Sequence, residues 1–362
     1  MERRERLSPF QTVRLSFVFL MKIFEDQGKF IPFRSRAYQM YFGEAAPTAF
    51  DLETLGLSSR RDPIILSGFL EEKNGTYHAV QFFAETPEQE EHLIRKTLSF
   101  LNTQSFLLTF NGRSFDIPFF KARAAKYGLS EEAEQAFRHI YHLDLYQIIR
   151  SYSPLAEVMS SLSQKSVEKL LGIDHLRKDR IDGGESIREY ESYLEKPTEE
   201  AERTILLHNH DDILQLTRLL PILKRARLHD AMQKLGFPKG PFIVQNIAVL
   251  QGALEVRLSG KTGLKEYIAF PSADVPYHLI SSASKNLAEI RFPLEKFKTG
   301  VQILDAEGIL GSENIPGEFH HFPGFRSGYL IIKKEDTSLS LELNAFVLAF
   351  LKNITWLSES GK

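Results

Sequence analysis

Thr48-Ala49-Phe50-Asp51-Leu52-Glu53-Thr54 decides how this chain is read. The apolar residues make 49–52 a buried strand. On a strand, Asp51 and Glu53, two positions apart, leave the same face. A carboxylate in an apolar strand costs free energy unless it is paired or binds a cation. Two more acids stand in comparable settings. Asp116 lies in Asn111-Gly112-Arg113-Ser114-Phe115-Asp116-Ile117-Pro118, and Asp212 in His208-Asn209-His210-Asp211-Asp212-Ile213-Leu214. Four converging carboxylates repel one another, so a divalent metal is their natural partner. Metal-assisted chemistry on a phosphate ester is the expectation.

Outward from that strand, residues 64–70 and 77–83 read as two more strands. Asn74-Gly75 between them is a strong hairpin signal, so the first three strands form an antiparallel meander. Thr86 and Pro87 open a helix that runs to about residue 101. Residues 105–110 form a strand, 114–127 a helix stopped by Gly128, and 140–145 a further strand. Three antiparallel strands followed by helix, strand, helix, strand predict an α/β fold: a ribonuclease H-like mixed sheet flanked by helices. Residues 146–226 are helical, with a break at Ile181-Asp182-Gly183-Gly184. The Asp212 helix starts after Pro197-Thr198-Glu199-Glu200 and ends near Arg225. Residues 241–342 carry short β-branched and aromatic runs, such as 266–270, 277–280 and 329–333, and a helix around 343–356 closes the chain. The expected organisation is an N-terminal extension (1–40), a catalytic α/β domain (41–228) and a smaller β-rich C-terminal domain (238–362).

Composition narrows the function classes. Of the 362 residues, 43% are hydrophobic, enough for a sizeable core, yet no run of 18 apolar residues suggests a membrane span. The net charge of −2 provides no global basic field, so nucleic-acid binding must use local patches and metal ions. With no cysteine there is no disulfide, thiolate zinc site or cysteine nucleophile, which suits a reducing cytoplasm. Arg3, Arg4 and Arg6 precede the apolar run of residues 17–20, a faint likeness to a signal peptide that Arg14 and Lys22 interrupt. Met21 reads better as the true start, with residues 1–20 an upstream extension or a short amphipathic helix.

On a helical wheel Ile205, Leu206, Ile213, Leu216, Leu219 and Leu220 share one face, and Asp212 falls inside that stripe. His208, one turn earlier, lies at its edge. Asp211 points to the polar side with His210 and Arg218, and Asp211 and His210 read as solvated surface residues. Each acid also has an ordinary reading. Asp-x-Glu is a common pair, Asp116 near a helix start would complement the dipole, and Asp144, a weaker fifth candidate, could equally cap the following helix. Asn111 could be a turn residue. His139 and His142 lack the company that a zinc site needs.

Together, Asp51-Leu52-Glu53-Thr54, Asn111–Asp116 and His208–Asp212 resemble the three motifs of the DEDD exonuclease superfamily. The likeness is strongest to its YprB-type ribonuclease H-like branch. Tyr41-Phe42-Gly43-Glu44 matches the lead before the first motif, and the helix through Ser166-Val167-Glu168-Lys169-Leu170-Leu171-Gly172-Ile173 and residues 183–194 also fit. The resemblance covers roughly residues 40–225, with a weaker likeness at 322–337. It implies 3′→5′ exonuclease activity on single-stranded DNA or RNA with two Mg²⁺ or Mn²⁺ ions: Asp51 bridging both, Glu53 and Asp212 completing one shell, Asp116 serving the second. His208 would accept a proton from water, its ordinary pKa near 6.5 suiting neutral pH. His208 departs from the pattern, being a histidine at the tyrosine-type spacing of the third motif. Thr54, Leu55, Asn111 and Phe115 are the substrate candidates. Phe115, Tyr146 and Tyr152 could stack on a terminal base, and Arg60, Arg61, Lys178 and Arg180 could hold phosphates or form a solvated face. A nucleic-acid-binding module with little turnover and a structure-specific endonuclease are the alternatives.

Overall fold

A computed structural model describes residues 21–181, 183–272 and 275–359, so the expectations for residues 1–20 lie outside it. Six strands form one mixed sheet: β1 (Lys22–Lys29), β2 (Thr48–Thr54), β3 (Ile64–Lys73), β4 (Thr76–Phe83), β5 (Phe106–Thr109) and β6 (Tyr141–Asp144). Their order is β1-β4-β3-β2-β5-β6. β2 pairs antiparallel with β3 and parallel with β5, and β6 extends the parallel side. The sequence expectation of three antiparallel strands followed by alternating helix and strand is met. The β3–β4 turn is built as Asn-Gly requires, with Asn74 at φ 56° and Gly75 at φ 76°.

β1 lies within the stretch expected to be an N-terminal extension. It runs antiparallel to β4 from Lys22 opposite Phe83 to Lys29 opposite Thr76. An edge strand buries little, and Ile23 is 48% exposed, so no apolar run marked it.

One face of the sheet is apolar. Phe50, Leu52, Phe69 and Phe82 pack there with Leu93 and Ile94 of the Glu90–Leu101 helix and Phe119 and Phe120 of the Asp116–Lys126 helix. Each fully buried side chain of this kind contributes about 1.5–3 kcal/mol. The Glu199–Arg218 helix crosses the other face, where Asp51 and Glu53 project. Thr198 caps that helix by accepting from Ala201 N–H at 3.3 Å. The helix stops at Arg218 rather than Arg225, because Pro221 has no N–H to continue it; a 3₁₀ turn, Leu220–Arg225, follows.

The C-terminal region is β-rich, as expected. β7 (Phe237–Lys239), β8 (Phe242–Leu250), β9 (Ala253–Gly260), β10 (Tyr267–Ala269), β11 (His278–Ser282) and β12 (Leu287–Pro293) form a wholly antiparallel sheet in the order β10-β11-β12-β9-β8-β7. β13 (Glu295–Lys298), β14 (Val301–Asp305), β15 (Tyr329–Lys334) and β16 (Thr337–Ser338) form another. The closing helix is Ser340–Phe350, with a 3₁₀ turn at Thr355–Leu357.

The two regions share one core at a seam around Tyr41. Burial pushes the His229 imidazole down, so its neutral Nδ1 accepts the Tyr41 hydroxyl at 2.6 Å. Asn344 donates to the same hydroxyl at 2.8 Å, and the Tyr41 and Phe237 rings lie 5.1 Å apart. Tyr41, in the lead before the first motif, therefore fastens the two regions together. Among the described residues no helix is long and apolar enough to cross a membrane.

Candidate metal centre

Asp51 faces Gly68 across the β2–β3 pair, and Gly68 in turn faces Gln81 on β4. A Cβ at Gly68 would lie 1.9 Å from Asn209 Oδ1, so only glycine lets the Glu199–Arg218 helix come this close. Asn209, fully buried, donates to Asp51 Oδ2 at 2.9 Å; Gln81 donates to Asn209 Oδ1 at 2.9 Å and to the Leu206 carbonyl at 2.9 Å. This chain orients the Asp51 carboxylate. Sequence reasoning missed Asn209 and Gln81. One signal was available: Asn209 lies four residues after Ile205 and four before Ile213, a polar residue inside the apolar stripe.

Glu53, His208 and Asp212 each offer a ligand atom, all within 4.8 Å of one another. His208 Nε2 is 3.8 Å from Glu53 Oε1 and 3.5 Å from Asp212 Oδ2, and Ser186 donates to Glu53 Oε2 at 3.2 Å. Asp116, at the start of its helix, turns inward and accepts the Leu52 N–H at 3.1 Å. Burial, then the charges of Asp116, Asp212 and Glu53, hold the Asp51 carboxyl well above the usual range. Burial pushes Glu53 up to about 7, with His208 opposing and Asp212 adding to the shift. Burial likewise raises Asp116 to about 7, the Leu52 N–H offsetting part of it. Glu53 and Asp212 thus stand with His208 at one place, Asp51 feels the charges of the other three acids, and the site's own cations leave it short of positive charge.

Arg177, in a segment from which the sequence reading took only Lys178 and Arg180, supplies one of those cations. Arg177 pairs with Glu168 at 2.6 Å, with Asp179 at 2.9 Å and with Asp212. Asp179 also meets Lys165 at 3.2 Å and His208 Nδ1 at 2.7 Å. These cations hold Asp179 ionised, below the usual carboxylate range although burial opposes it; an ionised carboxylate can only accept, so Nδ1 carries the hydrogen. Burial lowers the His208 pKa, but Asp179, Glu53 and Asp212 outweigh burial and bring it to about 9. In the metal-free chain these carboxylates favour the imidazolium form of His208.

Asp211 also departs from expectation. It is buried rather than solvated, its Oδ2 accepting the backbone N–H groups of Lys178 at 2.5 Å and Asp179 at 2.8 Å. The segment carrying Arg177 folds over that helix face. His210 reaches Asp26 of β1 at 3.0 Å.

The remaining candidates divide. Asp144 accepts the N–H groups of Asn111 at 2.9 Å, Arg113 at 3.0 Å and Gln147 at 3.3 Å, so it caps a helix and clamps the Asn111 turn, where φ is 67°. Thr54 is buried and donates to the Gly56 carbonyl at 2.7 Å. Leu55 is half-buried against a core cluster. Phe115 packs on Phe119 at 5.4 Å, Tyr146 on Phe110 at 5.9 Å, and Tyr152 against the main core. Arg60, Arg61, Lys178 and Arg180 are exposed. His142 is 2.6 Å from Thr109 Oγ1, and burial drives it down to about 3, so it is neutral. Among the described residues, Glu53, His208 and Asp212 are the cluster of acids and histidines close enough to share a metal.

Comparisons with known proteins bear on the same segments. A profile of the RNase H superfamily matches residues 48–224. A DNA polymerase of Methanocaldococcus jannaschii is 29% identical over 153 residues, 36% of this chain and 9% of that protein's length. The match thus spans only a small part of this relative. Among solved structures, the family B DNA polymerase of Pyrobaculum calidifontis aligns at TM-score 0.41 and 14% identity, over 87% of this chain and 47% of that one. The E. coli ExoI–ssDNA complex in its zinc-bound form aligns at TM-score 0.29 and 12% identity, over 60% of this chain and 55% of that one. The profile match spans β2 through the Asp212 helix and contains all four acids: residues 48–224 are an RNase H superfamily domain.

Proposed function

We propose that the chain is a metal-dependent nuclease hydrolysing phosphodiester bonds, specifically a 3′→5′ exonuclease of the DEDD type on single-stranded DNA or RNA. One observation carries this reading: Glu53 of β2 and His208 and Asp212 of one helix offer three ligand atoms within 4.8 Å of one another, and Asp51 of β2 lies within the field of Asp116, Asp212 and Glu53. The donor set, carboxylate oxygens with one imidazole nearby, fits Mg²⁺ or Mn²⁺.

Asp51, Glu53 and Asp212 would hold one ion, and Asp51 with Asp116 a second. Two such ions, when bound, activate the attacking water and stabilise the leaving 3′ oxygen. Asn209 keeps Asp51 turned into the site, and Ser186 does the same for Glu53. Asp179 holds His208 by Nδ1, which leaves Nε2 facing Glu53 and Asp212. In that position His208 orients groups at the site, and a divalent charge beside it would disfavour its imidazolium form. Arg177 occupies Asp212 in the chain as it stands. Thr54, Leu55, Asn111 and Phe115 lie beside the acids in sequence and are the first positions to test for substrate contact. A cysteine-free chain accords with a cytoplasmic setting.

The test uses 5′-labelled single and double strands of DNA and RNA with Mg²⁺ or Mn²⁺. A ladder shortening one nucleotide at a time from the 3′ end is expected. Discrete internal cuts would replace exonuclease by endonuclease. Binding without cleavage, unchanged by Asp51→Asn, would remove the catalytic reading.

A further inference from the structure

A second feature lies at the free edge of β6. A groove of about 430 Å³ runs between this edge and the C-terminal sheet, with β8, β9 and the β11–β12 turn as its far wall. Arg113, Arg138, Lys234 and Lys285 line it, and no acidic residue does. All four are exposed, and none enters an ion pair among the described residues. The chain as a whole has 45 basic and 47 acidic residues, so four cations without an acid is a local bias that composition does not supply.

The rims are built rather than loose. Arg113 is held by its N–H on Asp144 at 3.0 Å, and its guanidinium donates to the His142 carbonyl at 2.8 Å. Across the groove, Asn286 sits at φ 48° and exchanges two hydrogen bonds with Gly260, at 3.2 and 2.8 Å, which fixes the turn presenting Lys285. Arg138 ends one helix and Lys234 lies in the last turn of another. Along β6 the groove leads from Arg138 to Arg113, and Arg113 stands three residues before Asp116 in the same turn. Arg113 is thus the groove cation nearest in sequence to an acid of the site.

We infer that this groove is the track for the phosphate backbone of a nucleic-acid strand whose 3′ end enters the acid site. This deepens the nuclease reading and rests on it. Separate exposed cations neutralise phosphates without reading bases, so the track takes single strands of any sequence.

The test compares wild type with an Arg138→Ala/Lys234→Ala/Lys285→Ala variant and with a control, Lys296→Ala/Lys298→Ala, on exposed β13. Binding of a fluorescent 20-nucleotide oligothymidylate is followed by anisotropy in EDTA across a salt series, and melting temperatures confirm folding. The triple variant is expected to bind about tenfold or more weakly, with a salt slope shallower by about 2, since each phosphate contact on single strands contributes about 0.7. The control is expected to bind like wild type. Hydrolysis of the p-nitrophenyl ester of thymidine 5′-monophosphate, too small to reach the groove, is expected to be unchanged in the triple variant. Unchanged affinity and slope, or an equal loss in the control, would overturn the track. Because binding is read in EDTA, a wild type that cleaves nothing would sink the nuclease reading and leave this result standing.

Discussion

Two buried acidic centres lie beside the same sheet and differ in balance. Glu90 is fully buried, and its two oxygens receive Arg123 Nε at 2.7 Å, Arg123 Nη2 at 2.5 Å, the Tyr127 hydroxyl at 2.7 Å and the Ile64 N–H at 2.7 Å. One acid meets the Arg123 guanidinium and, at 4.0 Å, the Lys126 ammonium, with further donors to spare. At the candidate metal centre Glu53 and Asp212 share His208, Asp51 and Asp116 enter no ion pair among the described residues, and Arg177 is already divided among Glu168, Asp179 and Asp212. A buried acid is therefore not in itself a functional signal. The signal is an excess of buried negative charge that the chain's own donors do not cancel.

The sharpest way to break the comparison is Asp51→Asn or Asp212→Asn. Cleavage is expected to fall about 10³-fold, ~4 kcal/mol of barrier. The metal-free melting temperature should hold or rise in Asp51→Asn, which removes an acid that no cation among the described residues pairs. Retained activity in either variant would defeat the site assignment. The mirror experiment is Arg123→Met, which strands Glu90. Chemical denaturation should show a loss of about 3–5 kcal/mol, with cleavage per folded molecule unchanged. A loss below ~1 kcal/mol would mean that the Glu90 centre is not held by its pair.

Titration separates the centres further. Glu53 and Asp116 are raised to about 7 from 4.5 and 3.8, so the stability that their protonated forms provide is present in acid and lost as pH rises through 7. His208, raised to about 9 from 6.5, contributes stability below 6.5 that is lost as pH rises through 9. In EDTA the melting temperature should decline from pH 5 to 9, and Mn²⁺ should remove most of the decline. A flat profile in EDTA would contradict the excess of charge. The smallest effect is expected of Asn209→Ala, about a tenfold loss of cleavage, as for other groups that orient metal ligands. Gly68→Ala should act in the same direction, because its Cβ displaces Asn209. Wild-type rates in both would show that Asp51 needs no orienting partner.

Much of this was legible beforehand. The meander, its Asn-Gly turn, the alternating helices and strands and the apolar settings of the four acids are local, and period and turn chemistry report local facts. β1 was not legible, because an edge strand that buries one face lightly carries no apolar run. Asp211 was placed on the wrong side of the argument for a related reason. The wheel put it opposite the apolar stripe correctly, but whether that side meets water depends on the 177–179 segment folding over it.

The amino-acid order by itself determined which carboxylates would be costly to bury, and from that cost a cation was the expected partner. Only the tertiary structure decided which donors reach them: Asn209 on Asp51, Asp179 on His208, Arg177 on Asp212. Those contacts join segments up to 158 positions apart. Charge, burial and distance act through space, whereas sequence pattern reads only neighbours along the chain, so the partner that holds His208 by Nδ1 became visible only once the fold had brought Asp179 to it.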